Sequence, residues 1–174
     1  YNVLAIDNYS DELTGLKNHK ALKKILEEEI IELENQPSLI ASIILIDIDD
    51  FKQFNTNYGY NVADTVLQKV GLLLANDRRA TDETFRFYHR GDEFLILAKD
   101  TSATNALKAA ERKRKLIEDA SFMVDGSAHK ITVSCGVTEY KYRLDNYVSL
   151  TDRAIDALAR AKKINGKNCS KLLV

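Results

Sequence analysis

The sequence contains few of the residues that mark disulfide-rich or membrane-spanning proteins. Its two cysteines, Cys135 and Cys169, are too few for a disulfide framework. The longest apolar run, residues 39–46, is far shorter than the roughly 20 residues that a membrane-spanning helix needs. There is one proline, Pro37, and there are only seven glycines, so turns are sparse and long helices are expected.

The charge is almost balanced, and this limits the partners that the chain can have. The 25 basic residues face 26 acidic ones, for a net charge of -1. A broad basic surface for nucleic acid is therefore not expected. A local group of lysines can still bind a small anion. The histidines stand too far apart in the sequence for metal-ligand spacing: His19, His89 and His129.

The length of 174 residues predicts one domain over residues 1–174. The chain starts with Tyr-Asn-Val and has no signal-like segment, so we interpret it as a fragment of a longer protein. Residues 1–10 are then a linker, or a helix end from an upstream sensor or regulatory domain. We expect a cytoplasmic domain without membrane contact of its own, and the longer protein could itself be membrane-bound.

Hydrophobic periodicity predicts helices alternating with strands. Helices are expected from a cap at Ser10 or Asp11 to about residue 35, and over residues 51–57, 62–76, 103–120 and 149–164. Strands are expected over residues 40–48 and 130–138, as a hairpin of residues 84–88 and 94–98, and as an edge strand over residues 171–174. This pattern predicts an α/β fold, an α+β sandwich with a mixed central sheet covered by helices. The charged run at residues 111–115 is interpreted as a solvated helix face.

Two acidic segments are the first candidates for chemistry. Asp47 and Asp49 end the apolar strand and would share one face of it. Asp92 and Glu93 follow the hairpin turn and would lie beside that strand end. A hard cation such as Mg²⁺ would relieve the repulsion between such carboxylates. The alternatives are ordinary ones: Asp49 or Asp50 as a helix cap, and the second segment as a plain turn.

Two lysine segments are candidates for phosphate binding. Phe51 and Lys52 begin a helical turn directly after the acidic strand end, where backbone N–H groups can hold phosphate oxygens. Lys163 and Lys167 lie four residues apart near a helix C-terminus. Lysines there are also favoured by the helix dipole alone, which remains the alternative.

Taken together, these segments resemble the GGDEF family, the diguanylate cyclase domain of bacterial signalling. The resemblance covers residues 11 to about 168. The matching segments, in order, are D-x-L-T-G-L-x-N at residues 11–18, D-x-D-x-F-K-x-x-N at 47–55, residues 58–64, the signature hairpin at 90–94 and S-x-G-V at 134–137. The signature is a variant, R-G-D-E-F, because Arg90 stands at its first glycine.

The resemblance implies a nucleotide-cyclase palm with a ferredoxin-like core and a signature β-hairpin. It implies condensation of two GTP molecules into cyclic di-GMP and pyrophosphate by metal-assisted attack of a 3′-hydroxyl. Each site would hold two Mg²⁺ ions, with Mn²⁺ as an alternative. Each of two domains would present one GTP, so the active form would be a homodimer.

The resemblance also implies roles for individual residues. Asp47 and Asp92 would be metal ligands, with the Ile48 carbonyl beside the metal, and Glu93 would be the second essential acid. The residues implied in substrate binding are Asn55 and Asp64 for guanine, Phe51, Lys52 and the Gly91 backbone near the phosphates, and Lys162 or Lys163 with Lys167 for the triphosphate tail.

Two departures from the family pattern lead to an alternative function. Arg90 replaces a small residue, and the arm from Arg86 to Arg90 is two residues longer than usual. The alternative is an inactive domain that binds GTP or a protein partner as a regulatory module. Arg79 and Asp82 have the form R-x-x-D of an inhibitory product site, or they form an exposed ion-pair cluster.

Overall fold

The computed structural model describes residues 8–88 and 91–174, so most of the predicted linker at residues 1–10 lies outside the described residues. The helices are α1 (His19–Asn35), α2 (Phe51–Tyr58), α3 (Tyr60–Asn76), α4 (Ala103–Asp119) and α5 (Tyr147–Lys162). The strands are β1 (Ala41–Ile48), β2 (Glu83–Arg86), β3 (Glu93–Lys99), β4 (Phe122–Val124), β5 (Ser127–His129), β6 (Val133–Glu139) and β7 (Ser170–Leu172). Within these residues, no helix is long and apolar enough to cross a membrane.

The main sheet has five strands in the order β2-β3-β1-β6-β7. The β2–β3, β3–β1 and β1–β6 pairs are antiparallel, and β6–β7 is parallel. The expectation of a mixed sheet containing a hairpin is therefore confirmed. The isoleucine-rich β1 is the central strand, which explains why its sequence is apolar almost throughout.

Two helical layers cover the two faces of β1. Ile44, Ile46 and Ile48 pack in one core with residues of α3 and α4. Ile43 and Leu45 pack in the other core with residues of α1 and α5. Because side chains alternate along a strand, the Asp47 side chain lies on the α1 and α5 side.

The first helix begins later than the sequence suggested. Its N-cap is Asn18, whose side chain accepts a hydrogen bond from the Ala21 amide at 3.0 Å. The expected cap at Ser10 or Asp11 is wrong. The Asp11 carboxylate instead accepts hydrogen bonds from the amide and hydroxyl of Thr14, at 2.9 and 2.6 Å, and closes a separate turn.

A second, two-stranded sheet of β4 and β5 was not expected, and β6 begins at Val133 rather than at residue 130. The turn between β4 and β5 is Asp125–Gly126, and both residues have positive φ, 50° and 82°. This is the backbone that a two-residue hairpin turn requires, and Asp-Gly is its usual sequence. The strands have only three residues each, too short for alternation to reveal them.

The cationic run of α4 is engaged in ion pairs within the chain. Arg112 and Lys113 contact Asp77 at 3.1 and 3.2 Å, and Arg114 and Lys115 contact acidic residues of the same helix. The interpretation as a solvated face fails for Lys113, which is 1% exposed. Burial lowers the pKa of its ammonium, and the Asp77 carbonyl and carboxylate partly offset that cost.

The close contact between α5 and the sheet depends on Gly136 of β6. A Cβ there would lie 2.4 Å from the Ala154 carbonyl oxygen and from the Leu158 nitrogen, both in the α5 backbone. We expect Gly136→Ala to lower the free energy of unfolding by about 3 kcal/mol, since α5 would have to move away. Urea unfolding measures this change.

The matched control is Gly71→Ala in α3. A Cβ at Gly71 would first meet the Thr14 side chain, at 3.3 Å, and a shift of a few tenths of an ångström relieves that contact. Alanine is also favoured over glycine in a helix by about 1 kcal/mol. The control should therefore stay within about 1 kcal/mol of wild type. Equal losses in the two variants would contradict the proposed role of the Gly136 contact.

Candidate active site

The end of β1 meets the signature hairpin and β6 at one edge of the molecule. Asp47 lies directly opposite Glu93 of β3 and Ser134 of β6. The Ile48 amide donates a hydrogen bond to the Asp92 carbonyl at 3.1 Å. Strand pairing thus brings together the two acidic segments that are 45 residues apart in the sequence.

Asp47 carries the most perturbed carboxyl group of this cluster. Burial, followed by the adjacent Asp92 carboxylate, raises its pKa to about 8, and Lys162 acts in the opposite direction. Its Oδ1 is buried and has no hydrogen-bond partner among the described residues. A buried, unpaired carboxylate oxygen beside a second carboxylate is a position that a divalent cation would satisfy.

Glu93 is half-buried on the same face of the sheet as Asp47. Burial and the Asp92 charge raise the pKa of its carboxyl, and the Lys162 charge lowers it. Within residues 8–88 and 91–174, no three His, Cys, Asp or Glu side chains are grouped as ligands for one ion. The Asp47 and Asp92 carboxylates could bind one hard cation, since Mg²⁺ commonly uses one or two carboxylates and substrate phosphates.

Lys162, the last residue of α5, contacts both aspartates at the end of β1. Its ammonium lies 3.2 Å from Asp47 Oδ2 and 2.7 Å from Asp49 Oδ1. The two aspartates therefore do share a face, as the strand alternation predicted. Lys163 caps α5 and is exposed, so of the two neighbouring lysines it is Lys162 that enters the cluster.

The sequence did not reveal the role of Asp49, which is 7% exposed. Its carboxylate accepts hydrogen bonds from the hydroxyls of Thr132 and Ser134, at 2.7 and 2.8 Å. It also accepts from the Asn168 amide at 3.0 Å, besides the contact with Lys162. Asp49 thus joins β1, β6, α5 and the segment before β7. Nothing in the local sequence distinguishes it from its acidic neighbours.

Asp50 stands at the start of α2 with a left-handed backbone, φ 55°, and its side chain makes no capping bond. The interpretation of Asp49 or Asp50 as a side-chain cap is therefore wrong. Asp50 instead accepts a hydrogen bond from the Lys167 ammonium at 2.6 Å. Gly166, Lys167 and Asn168 all have positive φ, so an irregular turn brings Lys167 back over the start of α2.

A cleft of about 610 Å³ lies beside this cluster. It is lined by Asp47, Ile48, Asp50, Phe51, Lys52, Gln53, Thr56, Asp92, Lys162 and Lys167. Of the predicted guanine contacts, Asn55 is half-buried on α2 and Asp64 is exposed on α3, and neither is among these lining residues. The cleft therefore joins the acidic cluster to three lysines.

Arg86, which is 4% exposed, contacts both the N-terminal turn and the signature segment. Its guanidinium donates to the Asp11 carboxylate at 2.8 Å and to the Gly91 carbonyl at 2.5 Å. The N-terminal turn closed by Asp11 and Thr14 is thereby connected to the signature segment. This connection spans 80 residues of sequence and has no local signal. The departure at Arg90 lies outside the described residues.

Arg79 and Asp82 are adjacent, as the R-x-x-D spacing suggested. The Asp82 carboxylate accepts from the Arg79 amide at 3.2 Å and from its guanidinium at 3.4 Å. The same guanidinium donates to the Lys99 carbonyl at 3.0 Å and to the Thr101 hydroxyl. The Arg79 side chain is half exposed, whereas the Asp82 carboxylate is buried.

The candidate site is a carboxylate cluster at the end of the central strand, and it lies beside a cleft that is lined by lysines. The family comparison says which class of protein has this fold. The family model described as "Diguanylate cyclase, GGDEF domain" matches residues 8–169. The chain belongs to the GGDEF family, which confirms the resemblance and the fold that it implied.

Curated relatives are longer than this chain. Diguanylate cyclase A of Treponema denticola is 35% identical over 161 residues, covering 91% of this chain and 43% of the relative. Response regulator PleD of Caulobacter vibrioides is 33% identical over 161 residues, covering 91% of this chain and 35% of the relative. The chain therefore spans less than half the length of these relatives.

Solved structures share the fold. The GGDEF domain of DgcB from Caulobacter crescentus, in complex with c-di-GMP, has a TM-score of 0.86 at 26% identity, with 94% of this chain and 95% of that one covered. Diguanylate cyclase SiaD of Pseudomonas aeruginosa, in complex with its activator SiaC, has a TM-score of 0.86 at 29% identity. Here 99% of this chain and 65% of the SiaD chain are covered.

The role of Asp49 can be tested by pH-dependent stability. Burial acts to raise the pKa of its carboxyl, but hydrogen bonds from Lys162, Thr132 and Ser134 outweigh burial and hold it below the usual value. The ionised carboxylate therefore stabilises the fold above its unfolded pKa of about 3.9, and this contribution is lost as the pH falls below that value. We expect Asp49→Asn to cost about 3 kcal/mol at pH 7, and progressively less as the pH falls below about 3.9, in urea unfolding.

The control for this prediction is Asp50→Asn. The Asp50 side chain is 62% exposed and its partner Lys167 is 34% exposed, so their ion pair contributes about 1 kcal/mol at most. Asparagine also tolerates the left-handed backbone at this position. A loss in the control as large as that of Asp49→Asn would contradict the central role of the buried carboxylate.

Proposed function

We propose that this chain is a single diguanylate cyclase domain of a longer protein. It condenses two GTP molecules into cyclic di-GMP and releases two pyrophosphates. The observation that supports this most directly is the meeting of Asp47, Asp92 and Glu93 beside Lys162, in a chain of the GGDEF family. Each new phosphodiester bond forms when a 3′-hydroxyl oxygen attacks an α-phosphorus and pyrophosphate leaves.

Asp47 and Asp92, with the Ile48 carbonyl, would hold the divalent metal, and the unpaired Oδ1 of Asp47 fits this role. We propose two Mg²⁺ ions per site, with Mn²⁺ as an alternative. When bound, the metal supplies charge neutralisation of the triphosphate and lowers the pKa of the attacking hydroxyl. A cation would also remove the repulsion that raises the pKa of Asp47 in its absence.

Glu93 is the group suited to take the proton of the 3′-hydroxyl. Burial and the Asp92 charge raise the pKa of its carboxyl, so its carboxylate is a stronger base than an exposed glutamate. The charge of Lys162 acts in the opposite direction: it lowers the pKa of Glu93 and favours the ionised carboxylate. Strand pairing places the Glu93 backbone directly opposite Asp47.

The triphosphate would lie in the cleft between α2 and the end of α5. Lys52, Lys162 and Lys167 line that cleft with Phe51 and Asp92. We propose that the backbone of Gly91, the residue before Asp92, also contacts the phosphates. Lys162 and Lys167 are paired with aspartates in the structure, so phosphate binding would exchange carboxylate partners for phosphate oxygens. Lys163 is exposed and is not among the residues that line the cleft.

Guanine would be recognised by Asn55 and Asp64. The Asp64 carboxylate offers acceptors for the guanine N1–H and amino group, a pattern that adenine does not present. Among the described residues the acidic cluster borders the cleft beside α2, which we propose holds one GTP, and the reaction joins two nucleotides, so the active form would be a homodimer. The upstream segment would supply the sensor or regulatory domain of a cytoplasmic enzyme that does not bind nucleic acid.

The proposed activity is tested with Glu93→Ala. At high protein concentration with Mg²⁺, the wild type should convert GTP to cyclic di-GMP. The variant should lose at least about 100-fold in kcat, because general-base catalysis of this kind contributes that much or more. Chromatographic separation of nucleotides measures the product.

The control for this test is Glu28→Ala, which removes an exposed glutamate of α1 and should keep wild-type activity. A wild type without product would overturn the proposal. If such a silent protein became active on Arg90→Gly, the regulatory-module alternative would be favoured instead.

We also propose that Arg79 and Asp82 bind the product and inhibit the enzyme. To do so, the Arg79 guanidinium would leave Thr101 and the Lys99 carbonyl for a phosphate of cyclic di-GMP. We expect Arg79→Ala to raise the inhibitory concentration of added cyclic di-GMP at least about tenfold, as loss of a charge-assisted contact does. The control is Arg160→Ala, because Arg160 is also an exposed arginine. If cyclic di-GMP inhibited the Arg79→Ala variant as strongly as the wild type, the proposed product site would be contradicted.

A further inference from the structure

The proposed proton acceptor, Glu93, lies in β3 between β1 and the other hairpin arm, which is β2 with residues 87–88 and has few ladder contacts. Arg86 pairs with Phe94, and the Phe87 amide donates a hydrogen bond to the Glu93 carbonyl at 3.1 Å. The chain then leaves the ladder at Tyr88. Pairing with β1 holds the Glu93 backbone on one side, and on the other side Glu93 adjoins this arm, whose position beyond its last hydrogen bond depends on other contacts.

Tyr88 is held by aromatic contacts rather than by the sheet. Its ring stacks on His19, with 4.9 Å between centroids and 22° between planes. The Phe87 ring meets both of them edge-on, at 4.3 Å from Tyr88 and 5.4 Å from His19. We call these three residues the aromatic clasp. Offset-stacked and edge-on pairs at these distances are attractive beyond the area that they bury.

The clasp connects the arm to a rigid part of the fold. His19 is the first residue of α1 and follows the N-cap Asn18. Phe87 is 1% exposed and belongs to the core between the sheet and α1. Tyr88 is 44% exposed, so its ring is fixed on one side by the clasp and open to solvent on the other.

The phenol of Tyr88 lies close enough to the Glu93 carboxylate for the two groups to interact electrostatically. Burial raises the pKa of the phenol first, and the charges of Glu93 and Asp152 raise it further. The phenol therefore stays protonated at neutral pH and adds no negative charge beside the Glu93 carboxylate.

We propose that the stacking of Tyr88 on His19 positions Glu93 for the cyclase reaction, which rests on the function proposed above. Tyr88 touches neither substrate nor metal in this proposal and is a positioning residue. Removing the ring would let the arm move, and a displacement of about 1 Å at a reacting group can cost up to about 100-fold in rate.

The first test compares Tyr88→Ala with Tyr88→Phe in steady-state kinetics with GTP and Mg²⁺. We expect Tyr88→Ala to lower kcat about tenfold and to leave the KM for GTP within about twofold, because the lysines of the cleft lie on other elements. Tyr88→Phe keeps the ring and should retain wild-type kcat. His19→Ala should resemble Tyr88→Ala, and the double variant should lose no more than either one, since both remove one contact.

The second test does not depend on catalysis. Hydrogen exchange of the Phe87 amide reports the last ladder bond of the arm, and it should become at least about tenfold faster in Tyr88→Ala. Leu116→Ala on α4 is the matched control because Leu116 is 41% exposed, close to the value for Tyr88. That variant should leave both the exchange of the Phe87 amide and kcat unchanged.

The outcomes separate the clasp from the proposed function. A tenfold loss of kcat with faster Phe87 exchange, both restored in Tyr88→Phe, supports the clasp. Wild-type kcat in Tyr88→Ala overturns it, as does a loss that Tyr88→Phe does not restore. If the wild type makes no cyclic di-GMP, the positioning role falls with the proposed function, and unchanged Phe87 exchange would overturn the clasp as a structural anchor as well.

Discussion

The buried carboxylate of Asp49 is the contact on which the arrangement of the site depends. It receives hydrogen bonds from β6, from the end of α5 and from the segment before β7. Without a charged acceptor at this point, the Lys162 ammonium would lose its closest partner. The direction in which α5 ends, and with it the position of Lys162, depends on this buried charge and its donors.

Asp47 differs from Asp49, although the two are only two residues apart. Asp49 has enough donors to stay ionised, and its pKa is held low. Asp47 faces another carboxylate, shares Lys162 with Asp49, and has its pKa raised to about 8. The fold therefore satisfies one aspartate internally and leaves the other short of positive charge. A position left short of positive charge next to a lysine-lined cleft is suited to a metal ion that arrives with a nucleotide.

The sheet and the meeting of the acidic segments could be predicted because each has a local signal. The apolar β1 ends in aspartates, and the hairpin turn carries Gly91, so pairing of these strands follows from pattern and length. The start of α1 was misplaced because Asp11 and Asn18 are both good caps, and only the contact of Asp11 with Thr14 distinguishes them. The contacts that Asp49 makes with several other segments, and the hydrogen bond from Arg86 to Gly91, join parts of the chain that are distant in sequence. Local residue patterns do not reveal such contacts.

The N-terminal segment contacts the signature hairpin at two points, through a buried ion pair at one and an aromatic stack at the other. Asp11 acts through the buried Arg86 guanidinium, a charged contact that fixes the Gly91 carbonyl from inside the turn. His19 acts through the Tyr88 ring, a weaker contact at the partly exposed side of the arm. A buried ion pair is costly to break, and the partly exposed stack is the weaker of the two contacts. The Gly91 side of the hairpin is therefore fixed, and the Tyr88 side is where a change at the start of α1 would reach Glu93.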